Sequence, residues 1–204
     1  MNRTTVGNKA NRWRVLPFTC LKDNNVTGRD MKARSFFLFL FILFVSTQSQ
    51  AFDGISLGMG TARGSIEIFH VGFQKQFGQS WFESRVGCLS GYHEISLNSL
   101  EHREESIRQI AYSPVFTYSF AGPIDLVSPY LEGGLGISFL SDKMIAGRDL
   151  STYFQFEDRI GVGFRIGRTH IHDLNIRYMH YSNASIKQPN DGIDMLMVSY
   201  SCSF

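Results

Sequence analysis

The segment from His180 to Asp194, HYSNASIKQPNDGID, places an imidazole, a hydroxyl, two amides and a carboxylate within fifteen residues. A serine hydroxyl is a weak nucleophile until a neighbouring base takes its proton, and an imidazole can return that proton to a leaving group. A carboxylate beside the ring fixes its tautomer and steadies its cationic form. These roles make His180 the candidate base, Ser182 the candidate nucleophile and Asp194 the candidate acid. Asn183 and Asn190 are candidate amide donors to a tetrahedral oxyanion, and the 184–192 hairpin is placed to add a backbone N–H. A histidine and a serine two apart are, taken alone, a very weak signal, far more common in an interfacial girdle than in an active site.

Such groups need a scaffold, and the pattern around them is that of strands. In 110–120, Ile110, Tyr112, Pro114, Phe116, Tyr118 and Phe120 share one face and Ala111, Ser113, Val115, Thr117 and Ser119 the other. In 154–166, Phe154, Phe156, Ile160, Val162, Phe164 and Ile166 oppose Gln155, Glu157, Arg159, Gly161, Gly163 and Arg165. Period two over such lengths predicts strands. About eight segments result, near 53–61, 64–77, 80–95, 107–120, 126–140, 152–167, 170–183 and 193–204. The second changes phase between Ile66, Ile68 and Phe69, Val71, Phe73, which predicts a β-bulge. The run Glu101-His102-Arg103-Glu104-Glu105 reads as a solvated outer loop between strands three and four.

A soluble barrel hides its apolar face inside, whereas a membrane barrel turns it to lipid and fills a narrow lumen with small and charged residues. The polar face here mixes glycine and serine with opposite charges such as Glu157 and Arg159, which suits a lumen. The chain also stops on Phe204 after Leu196, Val198, Tyr200 and Cys202 alternate with Met197, Ser199, Ser201 and Ser203. A last strand ending in Phe resembles the C-terminal signature that the barrel assembly machinery of bacterial outer membranes recognises. We therefore expect an all-β fold, an eight-stranded antiparallel transmembrane β-barrel over 52–204. A soluble lipocalin-like binder in the periplasm is the alternative fold. With both ends in the periplasm, the 184–192 hairpin lies outside the cell. Eleven residues from Asp194 to Phe204, at about 3.3 Å each and a tilt of about 40°, span roughly the 25 Å apolar band. Asp194 thus falls near the outer rim, with His180 and Ser182 beside it.

Parity then fixes facing. His180 and Ser182 share the phase of Leu174 and Ile176, and Asp194 that of Leu196 and Val198, so all three point outward, while Arg177 points into the lumen. A charged residue facing lipid costs about 2–4 kcal/mol at the midplane but about 0–1 near the interface. Polar groups are therefore tolerable at that rim, yet packing gives no reason for them. Asp158 also faces outward, with Phe154, Phe156 and Ile160, and is the alternative acid.

The chain has 204 residues and a net charge of +2, which gives no electrostatic support for a nucleic-acid partner. Met31-Lys32-Ala33-Arg34, the apolar run Ser35 to Val45, and Ser49-Gln50-Ala51 have the three-part layout of a secretory signal over 31–51. The apolar run is short for a membrane-spanning helix, which needs about 20 residues. Residues 1–30 are then an upstream extension and Met31 the initiator. Cys88 and Cys202 lie in the mature part, far apart in sequence; they could pair, but no spacing points to a metal site or a disulfide framework. His70, His93, His102, His170 and His172 lack partner spacing for a metal, and no cofactor or phosphate loop is read.

The string from His180 to Asp194 resembles the signature of the lipid A 3-O-deacylases (PagL family), outer-membrane barrels that remove the ester-linked 3-position acyl chain of lipid A. Phe154-Gln155-Phe156-Glu157-Asp158-Arg159-Ile160-Gly161 supports the likeness more loosely, with the signal, the size and the terminal Phe. The resemblance implies His180 as base, Ser182 as nucleophile and the Asn183/Asn190 region as oxyanion stabiliser. It implies lipid A within lipopolysaccharide as substrate, outer-membrane lipids as surroundings, and export through the periplasm. Two positions depart from the family: Asp194 stands where well-known members carry Glu, and Ser185 where Gly is common. A non-enzymatic structural or adhesive barrel is the second functional reading, and a homodimer is left open.

Overall fold

Alternating apolar and polar side chains cannot be buried on both sides of a strand, and closure of the sheet on itself resolves this while leaving no unpaired edge. The computed structural model describes residues 52–121 and 126–204, in which that closure is complete. Numbered in chain order, the strands are β1 (Gly54–Ala62), β2 (Ile66–Gln76), β3 (Gly87–His102), β4 (Glu105–Phe120) and β5 (Val127–Leu140), then a small hairpin of β6 (Met144–Ile145) and β7 (Arg148–Asp149). They continue as β8 (Phe154–Ile166), β9 (His172–Ser182) and β10 (Ile193–Ser203). Eight of them form a closed antiparallel barrel in which each pairs with its neighbour in sequence and β10 pairs with β1.

The apolar face is on the outside. Leu57, Leu97, Ile110, Phe116, Leu135, Ile160, Phe164, Ile176, Leu196 and Val198 all stand exposed on the wall. Their strand neighbours Ser56, Gln74, Glu94, Ser113, Thr117, Gln155, Asn175 and Ser199 are buried inside. This arrangement is the reverse of a lipocalin and rules out the soluble-barrel alternative. No helix among the described residues is long and apolar enough to cross a membrane; the strands are the apolar surface.

The interior has two storeys. At mid-height Glu94 takes Arg159 Nη1 at 2.7 Å and Arg177 Nη1 at 3.3 Å on one oxygen and Gln74 Nε2 at 2.9 Å on the other. Arg159 also pairs with Glu157 (Nε–Oε1 2.7 Å), as the sequence suggested, and Arg177 with Glu132 (Nε–Oε1 3.2 Å). Tyr92 and Tyr181 donate their hydroxyls to Glu132 and Glu157 at 3.0 and 2.6 Å. Glycines make room for these large groups: a Cβ on Gly163 would lie 2.3 Å from the Tyr130 ring. Towards the end that carries the β9–β10 loop, the filling turns apolar. Ile66, Ile68, Leu100, Ile107, Met179, Ile193, Met195 and Met197 close around Ile145 and Leu150 from the β6–β7 segment.

That apolar storey corrects the expected bulge in the second strand. β2 keeps one unbroken register against both β1 and β3, so Ile66 and Ile68 point inward on the same face as His70 and Gln74. The hydrophobic phase changes because the lumen changes character with height, not because the backbone slips. The third strand also begins later than expected, at Gly87 rather than near residue 80. The expected outer loop at 101–105 is a tight hairpin: Glu101 and His102 finish β3, Glu105 starts β4, and Arg103 turns through φ 53°. Cys88 and Cys202 are both free thiols, on β3 and β10 with two strands between them. The expected signal at 31–51 and upstream extension at 1–30 lie outside the described residues.

Candidate active site

β9 presents Tyr178, His180 and Ser182 in a column on the outer wall, because their sequence neighbours Met179, Tyr181 and Asn183 are locked inside. Met179 and Tyr181 belong to the apolar plug, so the backbone beneath the column is held by packing and by the Tyr181–Glu157 hydrogen bond. His180 lies directly across from Asp194 on β10 and from Asp158 on β8. Its Nδ1 is 2.7 Å from Asp194 Oδ1, with both side chains partly exposed. Directly paired residues have Cβ atoms about 4.5–5.5 Å apart. An aspartate therefore reaches the ring, and the methylene missing relative to Glu is no obstacle. With Nδ1–H directed at the carboxylate, the lone pair of neutral His180 is on Nε2. Asp158 is exposed and makes no hydrogen bond to the ring.

Ser182 is partly exposed on the same face, with Phe156 beside it on β8. Phe156 stacks edge-on with Phe154 at 4.9 Å, and Phe154 with Phe139 at 5.4 Å, so an aromatic step runs along the wall next to the hydroxyl. Among the described residues Ser182 Oγ has no hydrogen-bond partner; contacts of this kind are often loose without substrate.

The two asparagines occupy different places. Asn183 is fully buried and turns inward: its Nδ2 donates to the carbonyls of Leu150 (3.0 Å) and Lys187 (2.9 Å). Its side chain is thereby committed to tying the loop down and is not directed at the outer face, which corrects its expected position as an oxyanion donor. Asn190 accepts the backbone N–H of Asn183 on Oδ1 at 3.0 Å, an arrangement that leaves its own Nδ2 hydrogens uncommitted.

The β9–β10 loop is braced from the neighbouring loop. Arg148 Nη1 donates to the carbonyls of Asp191 (3.2 Å) and Gly192 (3.0 Å), Asp149 N donates to Asp191 Oδ2 at 2.8 Å, and Ser151 Oγ donates to the Pro189 carbonyl. Gly192 turns through φ 58°, and a Cβ there would meet His180 Cε1 at 3.1 Å. Ala184 and Ser185 hold φ of 51° and 61°. A glycine at position 185 would hold this left-handed conformation without the steric cost that Ser185 bears. The sequence reading missed Tyr178, Arg148 and Gly192. Tyr178 was accessible through its parity with His180, whereas nothing in spacing links Arg148 to residues more than forty positions away.

A small transmembrane β-barrel with an acid–base cluster on its lipid-facing wall is the class these features define. The family model described as lipid A 3-O-deacylase (PagL) matches residues 67–203. The lipid A deacylase PagL of Pseudomonas aeruginosa is 32% identical over 154 residues, covering 74% of this chain and 86% of that protein. That of Bordetella bronchiseptica is 39% identical over 75 residues, 37% of this chain and 41% of that protein. A crystal structure of the outer membrane enzyme PagL superposes with a TM-score of 0.69 at 30% identity, covering 74% of this chain and 99% of that one. The chain belongs to the lipid A 3-O-deacylase family, a protein of the bacterial outer membrane.

Proposed function

We propose that this protein is a serine esterase that removes the ester-linked 3-position acyl chain of lipid A, with His180, Ser182 and Asp194 as its catalytic residues. The observation that carries this reading is the 2.7 Å His180–Asp194 hydrogen bond on the outer wall, with Ser182 one step along the same face. A group on that wall meets a lipid in its own leaflet. The ester of an acylated sugar lies at headgroup depth, where Asp194 and His180 stand.

In the reaction, His180 Nε2 takes the Ser182 proton as Oγ attacks the ester carbonyl carbon. Asp194 keeps Nδ1–H in place and offsets the charge of the imidazolium. The carbonyl oxygen becomes an oxyanion, for which Asn190 Nδ2 is the available side-chain donor, fixed by the Asn183 N–H on its oxygen. Asn183 acts through that bond. Collapse breaks the bond to the sugar oxygen, which leaves with the proton from His180. Water activated by the same ring then hydrolyses the acyl-serine and releases the fatty acid. The aromatic step of Phe156 and Phe154 gives the acyl chain an apolar bed beside Ser182. No step requires a metal or an organic cofactor.

The test is the Ser182→Ala protein, purified in detergent and given lipopolysaccharide, with released fatty acid identified by mass spectrometry. We expect the native protein to release one acyl chain per lipid A and the variant to lose at least about a thousandfold in rate. Equal release by both would sink the serine mechanism. No release by the native protein would favour a structural barrel.

A further inference from the structure

Tyr178 stands two residues below His180 on the same outward face of β9. The residue is 46% exposed, and its register partners are Ile160 on β8 and Leu196 on β10, both lipid-facing. A tyrosine among such neighbours ordinarily turns its hydroxyl to headgroups or water. This one donates to Asp194 Oδ1 at 2.6 Å, the same oxygen that takes His180 Nδ1–H.

From this we infer that Tyr178 is a positioning residue of the catalytic cluster, holding Asp194 in the orientation that receives the imidazole; the inference rests on the esterase reading above. A carboxylate oxygen accommodates two donors, and two charge-assisted bonds leave the carboxylate one usable orientation. The need is specific to this site. Asp194 is partly exposed at the rim, where water competes for it, and Oδ1 is the oxygen turned to the ring. Tyr178 supplies that turn from the side away from the hydroxyl of Ser182. It touches neither the reacting carbonyl nor the nucleophile, so its effect passes through Asp194 alone.

The experiment is a double-mutant cycle with Tyr178→Phe and Asp194→Asn, singly and together, on lipopolysaccharide in detergent, with kcat and KM measured separately. Small misplacements near a reacting centre cost up to about a hundredfold. We expect Tyr178→Phe to lower kcat roughly tenfold with KM unchanged, and to add less than about twofold in the Asp194→Asn background. A rise in KM with kcat intact would make Tyr178 a lipid-contact residue and overturn the inference. So would independent, multiplying losses in the double variant, or no loss at all. Thermal unfolding of each variant checks that the barrel is intact, and Tyr178→Leu, matching the aliphatic wall, replaces the Phe variant if that fails to fold. Full activity of Ser182→Ala would instead remove the esterase reading itself, which separates the two failures.

Discussion

His180 and Asp194 are directly paired across β9 and β10, and the ring nitrogen and carboxylate oxygen meet at 2.7 Å on the lipid side of the wall. Asp158 faces the same histidine from β8 without a hydrogen bond to it. Of the two carboxylates that flank the ring, Asp194 alone hydrogen-bonds it among the described residues.

That difference separates their variants. Asp194→Asn should lower kcat by roughly a hundredfold or more, because an amide can present its NH2 to Nδ1 and invert the tautomer. Asp158→Asn should stay within about threefold of the native rate. Steady-state release of fatty acid by the two proteins decides between them, and the reverse ranking would exchange the roles.

Asn190→Ala removes the amide that the proposed mechanism assigns to the oxyanion, whose Nδ2 makes no hydrogen bond among the described residues. Loss of a single oxyanion donor costs about a hundredfold to a thousandfold in kcat, and KM should move little. A change confined to KM would mean that Asn190 contacts the ground-state substrate instead.

Gly192→Ala tests the space beside the ring. The new Cβ would lie 3.1 Å from His180 Cε1, at a φ of 58° that costs an L-residue about 1–2 kcal/mol. We expect the imidazole to be displaced and kcat to fall at least about tenfold while the barrel still folds. An active Gly192→Ala protein would show that the loop yields without moving the ring.

Ser185→Gly should do the opposite of harm. Ser185 sits at φ 61°, so glycine relieves strain of about 1 kcal/mol in a loop already tied down by Asn183 and Arg148. The expected outcome is unchanged or higher kcat with a slightly raised unfolding temperature; a clear loss of activity would assign the Ser185 hydroxyl a role of its own.

Glu94→Ala addresses the lumen. It leaves Arg159 and Arg177 short of one buried anion each, although Glu157 and Glu132 remain as partners. Breaking a buried ion pair from one side costs about 3–5 kcal/mol, and the remaining partners favour the lower figure. Thermal unfolding in detergent should register this, while activity per folded molecule stays near native.

Much of this architecture was legible in period two. The faces of Ile110 to Phe120 and Phe154 to Ile166 could be assigned because their apolar residues alternate without interruption. β3 was misplaced because its lumen side carries Tyr92 and Leu100 and its outer side His93, Ser99 and Glu101, which blurs the alternation. β2 misled for a related reason: parity reports facing only while the medium on each side stays constant, and the lumen turns apolar near Ile66. In the site, parity placed His180, Ser182 and Asp194 on one wall. It also implied that Asn183 faces inward, a consequence that a search for amide donors passed over. The support from Arg148 and Ser151 depends on two loops meeting in space, and no local pattern encodes it.

A barrel stoppered by Ile145, Leu150 and their neighbours, above a knot of interlocked charges, is a solid post and not a conduit. On the proposed mechanism, traffic to Ser182 is then sideways, by diffusion within one leaflet, and the freed fatty acid departs along the same plane. Turnover on such a surface depends on how tightly the surrounding lipids pack. Chemistry carried out on the outside of a post is therefore throttled by the membrane itself, with no lid or gate required.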